Sequence, residues 1–130
     1  MLQDNTKNNM WKEILYVGAG SFVGGALRYV VSLILKYDGG FPWATFVVNL
    51  LGCLLIGLLW GLFCRVPNVS QNLVLFLSVG LCGGFTTFST FSKESVMLMQ
   101  SGNWLMLALY ILGSILLGVG LVAAGYFLTK

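Results

Sequence analysis

The sequence contains no histidine, two prolines and few charged residues. Histidine is the most frequent general base and metal ligand, so its absence argues against most hydrolytic and metal-dependent catalysis. Charged side chains make up 8% of the 130 residues, against about 25% in soluble domains. The seven basic and four acidic residues are too few to cover a water-soluble surface, and they form no patch for nucleic acid. We therefore expect neither an enzyme nor a nucleic-acid-binding protein.

Hydrophobic residues account for 58% of the chain and are arranged in four long runs. Each run reaches the roughly 20 residues that a helix needs to cross a bilayer. Helices are expected because lipid offers no partner to unpaired backbone groups. The sequence predicts an all-α protein of the cell membrane, with a polar tail over residues 1–13 and one transmembrane domain over 14–130. The predicted spans are 14–35, 43–63, 73–99 and 104–128.

The connections between the runs are short, which predicts that successive helices are antiparallel neighbours. Four basic residues, Lys7, Lys12, Arg65 and Lys130, lie on the side of the N-terminus. Lys36 lies on the other side, and Lys93 lies inside the membrane but nearer to that side. The positive-inside rule therefore favours a cytoplasmic N-terminus, but only modestly. Three G-x-x-x-G pairs, at residues 20–24, 57–61 and 80–84, indicate close helix contacts in lipid. These contacts can lie within one chain or between two copies, and the sequence leaves both alternatives open.

Polar side chains occur at similar depths in several spans. Arg28 lies roughly 12 Å inside one end of the first span, and Asn49 lies roughly 10 Å inside the second. Thr45 is one turn before Asn49, and Tyr110 and Ser114 share a face of the fourth span. Each has an ordinary explanation, such as snorkelling, interhelical hydrogen bonding or bonding to its own helix. Their common depth indicates instead a lined pathway through the membrane.

The third span carries the motif GGFTTFSTF at residues 83–91. Gly80, Gly83 and Gly84 are each expected to weaken the helix by about 1 kcal/mol relative to alanine. The hydroxyl groups that follow can cap the freed backbone groups. Phe88 and Phe91 share one helical face, where a ring edge can face an anion, although packing in lipid is the ordinary role of such a stripe. The residues alone thus predict a helix broken near its middle that lines an ion pathway.

Glu94 follows the motif, nearer the membrane surface. It can pair with Arg28 or with Lys93 of a neighbouring chain. The alternative is a solvated pair of snorkelling side chains, Lys93 and Glu94, with no functional role.

Three segments resemble the CrcB/Fluc family of fluoride-specific channels. Residues 80–91, GLCGGFTTFSTF, are close to the family's hallmark motif, and residues 24–29, GGALRY, resemble its G-x-x-x-R-Y element. Residues 45–57, TFVVNLLGCLLIG, resemble its T-x-x-V-N-x-x-G element. Ala44 and Cys53 depart from the family's usual glycine and serine, and neither change removes a hydrogen-bonding group from the pathway.

The resemblance implies a passive fluoride channel that exports cytoplasmic fluoride as a homodimer of antiparallel subunits with dual topology. It implies two pores per dimer, and a structural Na⁺ held at the dimer centre by the backbone carbonyls of Gly83 and Thr86. Arg28 and Glu94 are assigned by the same resemblance to the vestibule. The implied pore residues are Phe88, Phe91 and the amide of Asn49, with Thr45, Ser89, Thr90, Tyr110 and Ser114 as candidate hydroxyls.

Two other functions are compatible with four short spans. A small multidrug-type, proton-coupled transporter needs a buried carboxylate in its first span, where this chain has Arg28 and no acid. A non-transporting scaffold subunit explains the glycine packing but leaves the polar residues at mid-depth without a purpose.

Overall fold

The computed structural model describes the backbone of residues 2–130 and the side chains of residues 7–130. Four helical segments are long and apolar enough to cross a membrane, as predicted. The first is α1 (Leu2–Ile34), the second α2 (Trp43–Arg65) and the fourth α6 (Trp104–Thr129). The third is composite: α3 (Gln71–Val74), a π-helical segment (Leu75–Cys82), α4 (Gly83–Phe85) and α5 (Phe88–Gln100).

Helix α1 begins well before the predicted start of the first span at Ile14. Residues 7–13 contain neither proline nor glycine, so nothing in that part of the polar tail ends the helix. Residue 1 and the side chains of residues 2–6 in the same tail lie outside the described part of the chain.

The helices pack chiefly in two pairs, and the members of each pair are not consecutive in the chain. The most extensive contacts join α2 to α6, and α1 to the π-helical segment and α4. Consecutive spans also contact one another, as predicted, but less extensively.

Glycines explain this choice of partners. A Cβ atom added at Gly84 would lie 2.6 Å from the Ser21 carbonyl oxygen, and one at Gly125 would lie 2.7 Å from the Leu58 amide nitrogen. The members of the three G-x-x-x-G pairs all have such backbone neighbours within the same chain. The two alternatives left open by the sequence are therefore decided in favour of packing within one subunit.

Two glycines on α6 provide a test of this packing. We expect Gly125→Ala to lower the free energy of unfolding by about 1–3 kcal/mol, because a methyl group would collide with the backbone of α2. Gly120→Ala on the same helix meets no atom within 4 Å and should be neutral or slightly stabilising. Thermal unfolding of both variants in detergent checks this. Equal midpoints for the two variants would show that the α2–α6 contact is not tight.

The third span is interrupted at Thr86 and Thr87, whose backbones are extended. This confirms the predicted break near the middle of the span, but the expected cause was wrong. Gly80 and Gly84 lie in helical segments and serve the contact with α1. The two threonines instead close the two helix ends. The Thr86 hydroxyl donates to the Cys82 carbonyl at 2.9 Å, and the Thr87 hydroxyl accepts from the Thr90 amide at 3.3 Å.

Candidate functional site

The break in the third span is joined to α2 by a double hydrogen bond. The Thr87 amide donates to Asn49 Oδ1 at 2.8 Å, and Asn49 Nδ2 donates to the Thr87 carbonyl at 3.1 Å. The Thr87 amide has no helical partner, and a half-buried polar backbone group needs one. The Thr87 carbonyl, at the N-cap of α5, also accepts the first hydrogen bond of that helix. Asn49 therefore satisfies the interrupted backbone and retains one N–H and one lone pair for another partner.

Phe88 and Phe91 lie on the first turn of α5, directly after the break. Their ring centroids are 5.8 Å apart, with an interplanar angle of 36°. The Phe88 ring is 78% exposed in the single chain, whereas Phe91 packs on Tyr110 with centroids 4.9 Å apart. The two rings thus form a short row from the open surface of the subunit to its interior, beside the amide groups at the start of α5.

Tyr110 is the most deeply buried large side chain of the described residues, with no exposed surface. Besides Phe91, it packs edge-on against Phe41 at 5.4 Å. Its hydroxyl donates to the Glu94 carboxylate at 3.3 Å. Glu94 is therefore held by an internal tyrosine rather than by Arg28.

Arg28 lies in a different place, in a cavity of about 320 Å³ that we call the arginine cavity. Thr45 of α2 and Thr90 of α5 line the same cavity, so residues from three spans meet there. Arg28 Nε is buried and, among the described side chains and backbone, makes no hydrogen bond. The cavity thus places a positive charge beside two hydroxyl groups.

A second cavity of about 370 Å³, the break cleft, opens on the other side of the interruption. Thr87 lines both cavities and so marks the boundary between them. A Cβ atom at Gly83 would meet nothing within 4 Å, so the backbone faces open space here. The break cleft is lined by Asn49, Gly83, Thr86, Thr87 and Phe88, together with Cys53, Cys82 and other small or apolar residues.

The break cleft suits a hard cation bound by carbonyl oxygens. Because the Thr87 amide donates to Asn49, it does not donate to the Gly83 carbonyl four residues earlier, as it would in a continuous helix. Carbonyl oxygens at an unwound helix end are typical Na⁺ ligands. No cluster of three histidine, cysteine or acidic residues occurs in the described part of the chain, so side chains of these types do not offer a competing site. The residues present therefore fit a sodium ion.

Two candidate hydroxyls stand apart from these groups. The Ser89 hydroxyl is exposed and lies 3.5 Å from that of Thr87. Ser114 Oγ is buried and without a hydrogen-bond partner among the residues that the structure describes. No described contact joins Ser114 to the phenylalanines.

Thr87 is the functional residue that the sequence analysis missed. Its place in the hydroxyl cluster indicated a cap, which its bond to the Thr90 amide fulfils. Its bonds to Asn49 join positions 38 residues apart, and no local pattern indicates them.

Comparison with known proteins assigns the family. Residues 15–126 match the family model described as "CrcB-like protein, Camphor Resistance (CrcB)". The chain is 47% identical over 123 residues to a protein of Azobacteroides pseudotrichonymphae named fluoride-specific ion channel FluC, covering 93% of this chain and 98% of that one. Proteins of the same name from Phocaeicola vulgatus and Flavobacterium psychrophilum are 42% and 46% identical over 121 residues, covering 92% of this chain and 99% and 98% of theirs. The protein crosses the membrane several times, and in bacteria this membrane is the plasma membrane. The chain belongs to the CrcB family.

Proposed function

We propose that this chain forms a fluoride-selective channel that passively exports cytoplasmic fluoride. The observation that carries the proposal is the interrupted third span, where Asn49, the start of α5 and the rings of Phe88 and Phe91 adjoin. Relatives at 42–47% identity over nearly their whole length bear the name fluoride-specific ion channel, which supports the same ion.

The groups beside the break suit a small, strongly hydrated anion. Fluoride leaves water only if donors replace its hydration shell, and conduction requires that no single site hold it tightly. Asn49 has a spare N–H, and the positive end of the α5 dipole points at the break. The edges of the two phenyl rings carry partial positive charge and so attract an anion weakly. A series of neutral donors and ring edges therefore gives several weak sites in place of one strong site.

The hydroxyl groups extend this series towards both ends of the pathway. Thr45 and Thr90 share the arginine cavity, and Ser89 lies beside Thr87 at the break. The Tyr110 hydroxyl lies beyond the ring of Phe91, and Ser114 Oγ offers an unused donor. We assign Arg28 and Glu94 to the vestibules: Arg28 concentrates anions by its charge, and Glu94 orients the Tyr110 hydroxyl.

The pathway is incomplete in one chain, and we propose that a second, antiparallel copy completes it. In the apolar 18-residue stretch of each span, only 11–22% of the residues are buried within the subunit. Phe88 and the break cleft both lie on its open surface. Two copies in opposite orientations would cover these surfaces and form two equivalent pores. The bias of the basic residues towards one face is modest and so is compatible with insertion in both orientations.

We assign the break cleft to a structural sodium ion, held by the carbonyls of Gly83 and Thr86 from both subunits. Such an ion would neutralise the carbonyl dipoles that meet where the two interrupted helices face each other. The C-terminal end of α4 adds partial negative charge at the same place.

Fluoride efflux from proteoliposomes tests the function. We expect purified protein to release trapped fluoride down its gradient, measured with a fluoride electrode, without a pH gradient and at a rate at least about 100-fold above that of chloride. The proposal requires passive flow, because α1 carries Arg28 at mid-depth instead of an acid that could couple to protons. Uptake of an organic cation driven by a pH gradient would favour a multidrug-type transporter, and the absence of any ion leak would favour a scaffold.

A further inference from the structure

One side chain holds two consecutive peptide groups of the break. Asn49 accepts from the amide of Thr87 and donates to its carbonyl, at 2.8 and 3.1 Å. A backbone amide can only donate and a carbonyl can only accept, so these partners fix which end of the Asn49 side chain faces which group. The peptide groups on both sides of Thr87 therefore have one orientation relative to α2.

The bond to the Thr87 amide has a direct effect on Gly83. In a continuous helix this amide would donate to the Gly83 carbonyl. The preceding amide, that of Thr86, still donates to Cys82 at 3.1 Å, so the helical ladder is intact up to that point. Asn49 thus takes the first amide that would have occupied the Gly83 oxygen.

The same bond also orients the Thr86 carbonyl. The C=O of Thr86 and the N–H of Thr87 belong to one planar trans peptide and point in opposite directions. Because the N–H points at Asn49 of α2, the Thr86 oxygen points away from α2. Both carbonyls assigned to the cation are thus set by a single acceptor atom, Asn49 Oδ1.

We propose that Asn49 is the positioning residue of the sodium site, in addition to its place beside the anion pathway. Oδ1 prepares the Gly83 and Thr86 oxygens for the cation. Nδ2 fixes the peptide group that leads into Phe88, so one side chain connects the cation site to the first ring of the pathway. The inference rests on the sodium site proposed above, and it concerns the binding of the cation rather than the passage of fluoride.

The test measures sodium binding by thermal stability and does not depend on transport. A ligand that binds only the folded protein raises the unfolding midpoint as its concentration rises. We would titrate the purified full-length protein in detergent with NaCl against N-methylglucamine chloride at constant ionic strength. The midpoint of the wild type should rise with the logarithm of the sodium concentration once that concentration exceeds the Kd. Asn49→Ser, too short to reach Thr87, should need at least about 10-fold more sodium for the same rise above its own sodium-free midpoint.

Two further variants separate this role from a general loss of fold or function. Asn49→Asp keeps an acceptor for the Thr87 amide and loses the donor to its carbonyl, so it should need no more sodium than the wild type while conducting fluoride poorly. Phe88→Ile should lose fluoride efflux and retain the sodium response unchanged. If Asn49→Ser does not fold, Asn49→Asp keeps the inference falsifiable, because a lost sodium response in that variant would contradict it.

Three results would overturn the inference. These are an unchanged sodium response in folded Asn49→Ser, a lost response in folded Asn49→Asp, and a wild-type midpoint that is independent of sodium. Failure of the proposed channel function would appear separately, as absent fluoride efflux in the wild type whatever its sodium response.

Discussion

Replacing either Phe88 or Phe91 with isoleucine is expected to reduce fluoride efflux on the order of 100-fold, equivalent to about 2.7 kcal/mol in the barrier. Isoleucine keeps an apolar side chain of similar bulk but has no aromatic edge with partial positive charge. The row formed by the two rings, 5.8 Å apart, would then be interrupted at one position. A dehydrated fluoride ion would face hydrocarbon there without a compensating group. Fluoride-electrode measurements on proteoliposomes give the rates.

Phe22→Ile on α1 is the matched control for this prediction. Phe22 is 79% exposed and Phe88 is 78% exposed, so the same chemical change is made at equal exposure. The control should conduct like the wild type, and all three variants should elute at the wild-type position in size-exclusion chromatography. Wild-type efflux in both ring variants would remove the phenylalanines from the pathway. Equal losses in Phe88→Ile and Phe22→Ile would indicate a general effect of removing an exposed ring.

The spans and the position of the break follow from local sequence. Span length and hydropathy depend on consecutive residues, and the third span is interrupted within the motif that the sequence analysis singled out. The role of the glycines was not predictable in the same way. Gly80 and Gly84 have low helix propensity wherever they lie, but their close contact with α1 outweighs it and keeps both residues helical.

The depth of the site residues in the membrane was predictable from the sequence, but their hydrogen-bond partners were not. Counting residues along each span placed Asn49 at nearly the same level as the broken motif. It gave no indication that the amide would bond to the backbone of Thr87 rather than stand free. Such a bond depends on the rotation of α2 relative to the third span, which is set by packing against α6. Glu94 shows the same limit, because its charge indicated Arg28 or Lys93 of a neighbouring chain as possible partners, and the structure places the Tyr110 hydroxyl beside it.

Tyr110 combines a packing role with a polar one, and two substitutions should separate them. Tyr110→Ala removes a fully buried ring that contacts Phe41 and Phe91, and we expect a loss of about 3–5 kcal/mol in the free energy of unfolding. Tyr110→Phe keeps the ring and removes only the hydroxyl that donates to Glu94 at 3.3 Å. Its stability should fall by only about 1–2 kcal/mol. Its fluoride efflux should fall about 10-fold, equivalent to about 1.4 kcal/mol in the barrier.

Thermal unfolding and fluoride efflux, measured on the same preparations, distinguish the two roles of Tyr110. Tyr16→Phe on α1 is the control, since that tyrosine is 43% exposed and the same hydroxyl is lost outside the buried cluster. A stable Tyr110→Ala variant would show that the aromatic cluster does not hold α6 against the third span. Unchanged efflux in Tyr110→Phe would place the pathway away from this hydroxyl. A Tyr110→Phe variant that stays folded but conducts slowly would place the Tyr110 hydroxyl itself on the pathway, because the ring and its packing are the same in both proteins.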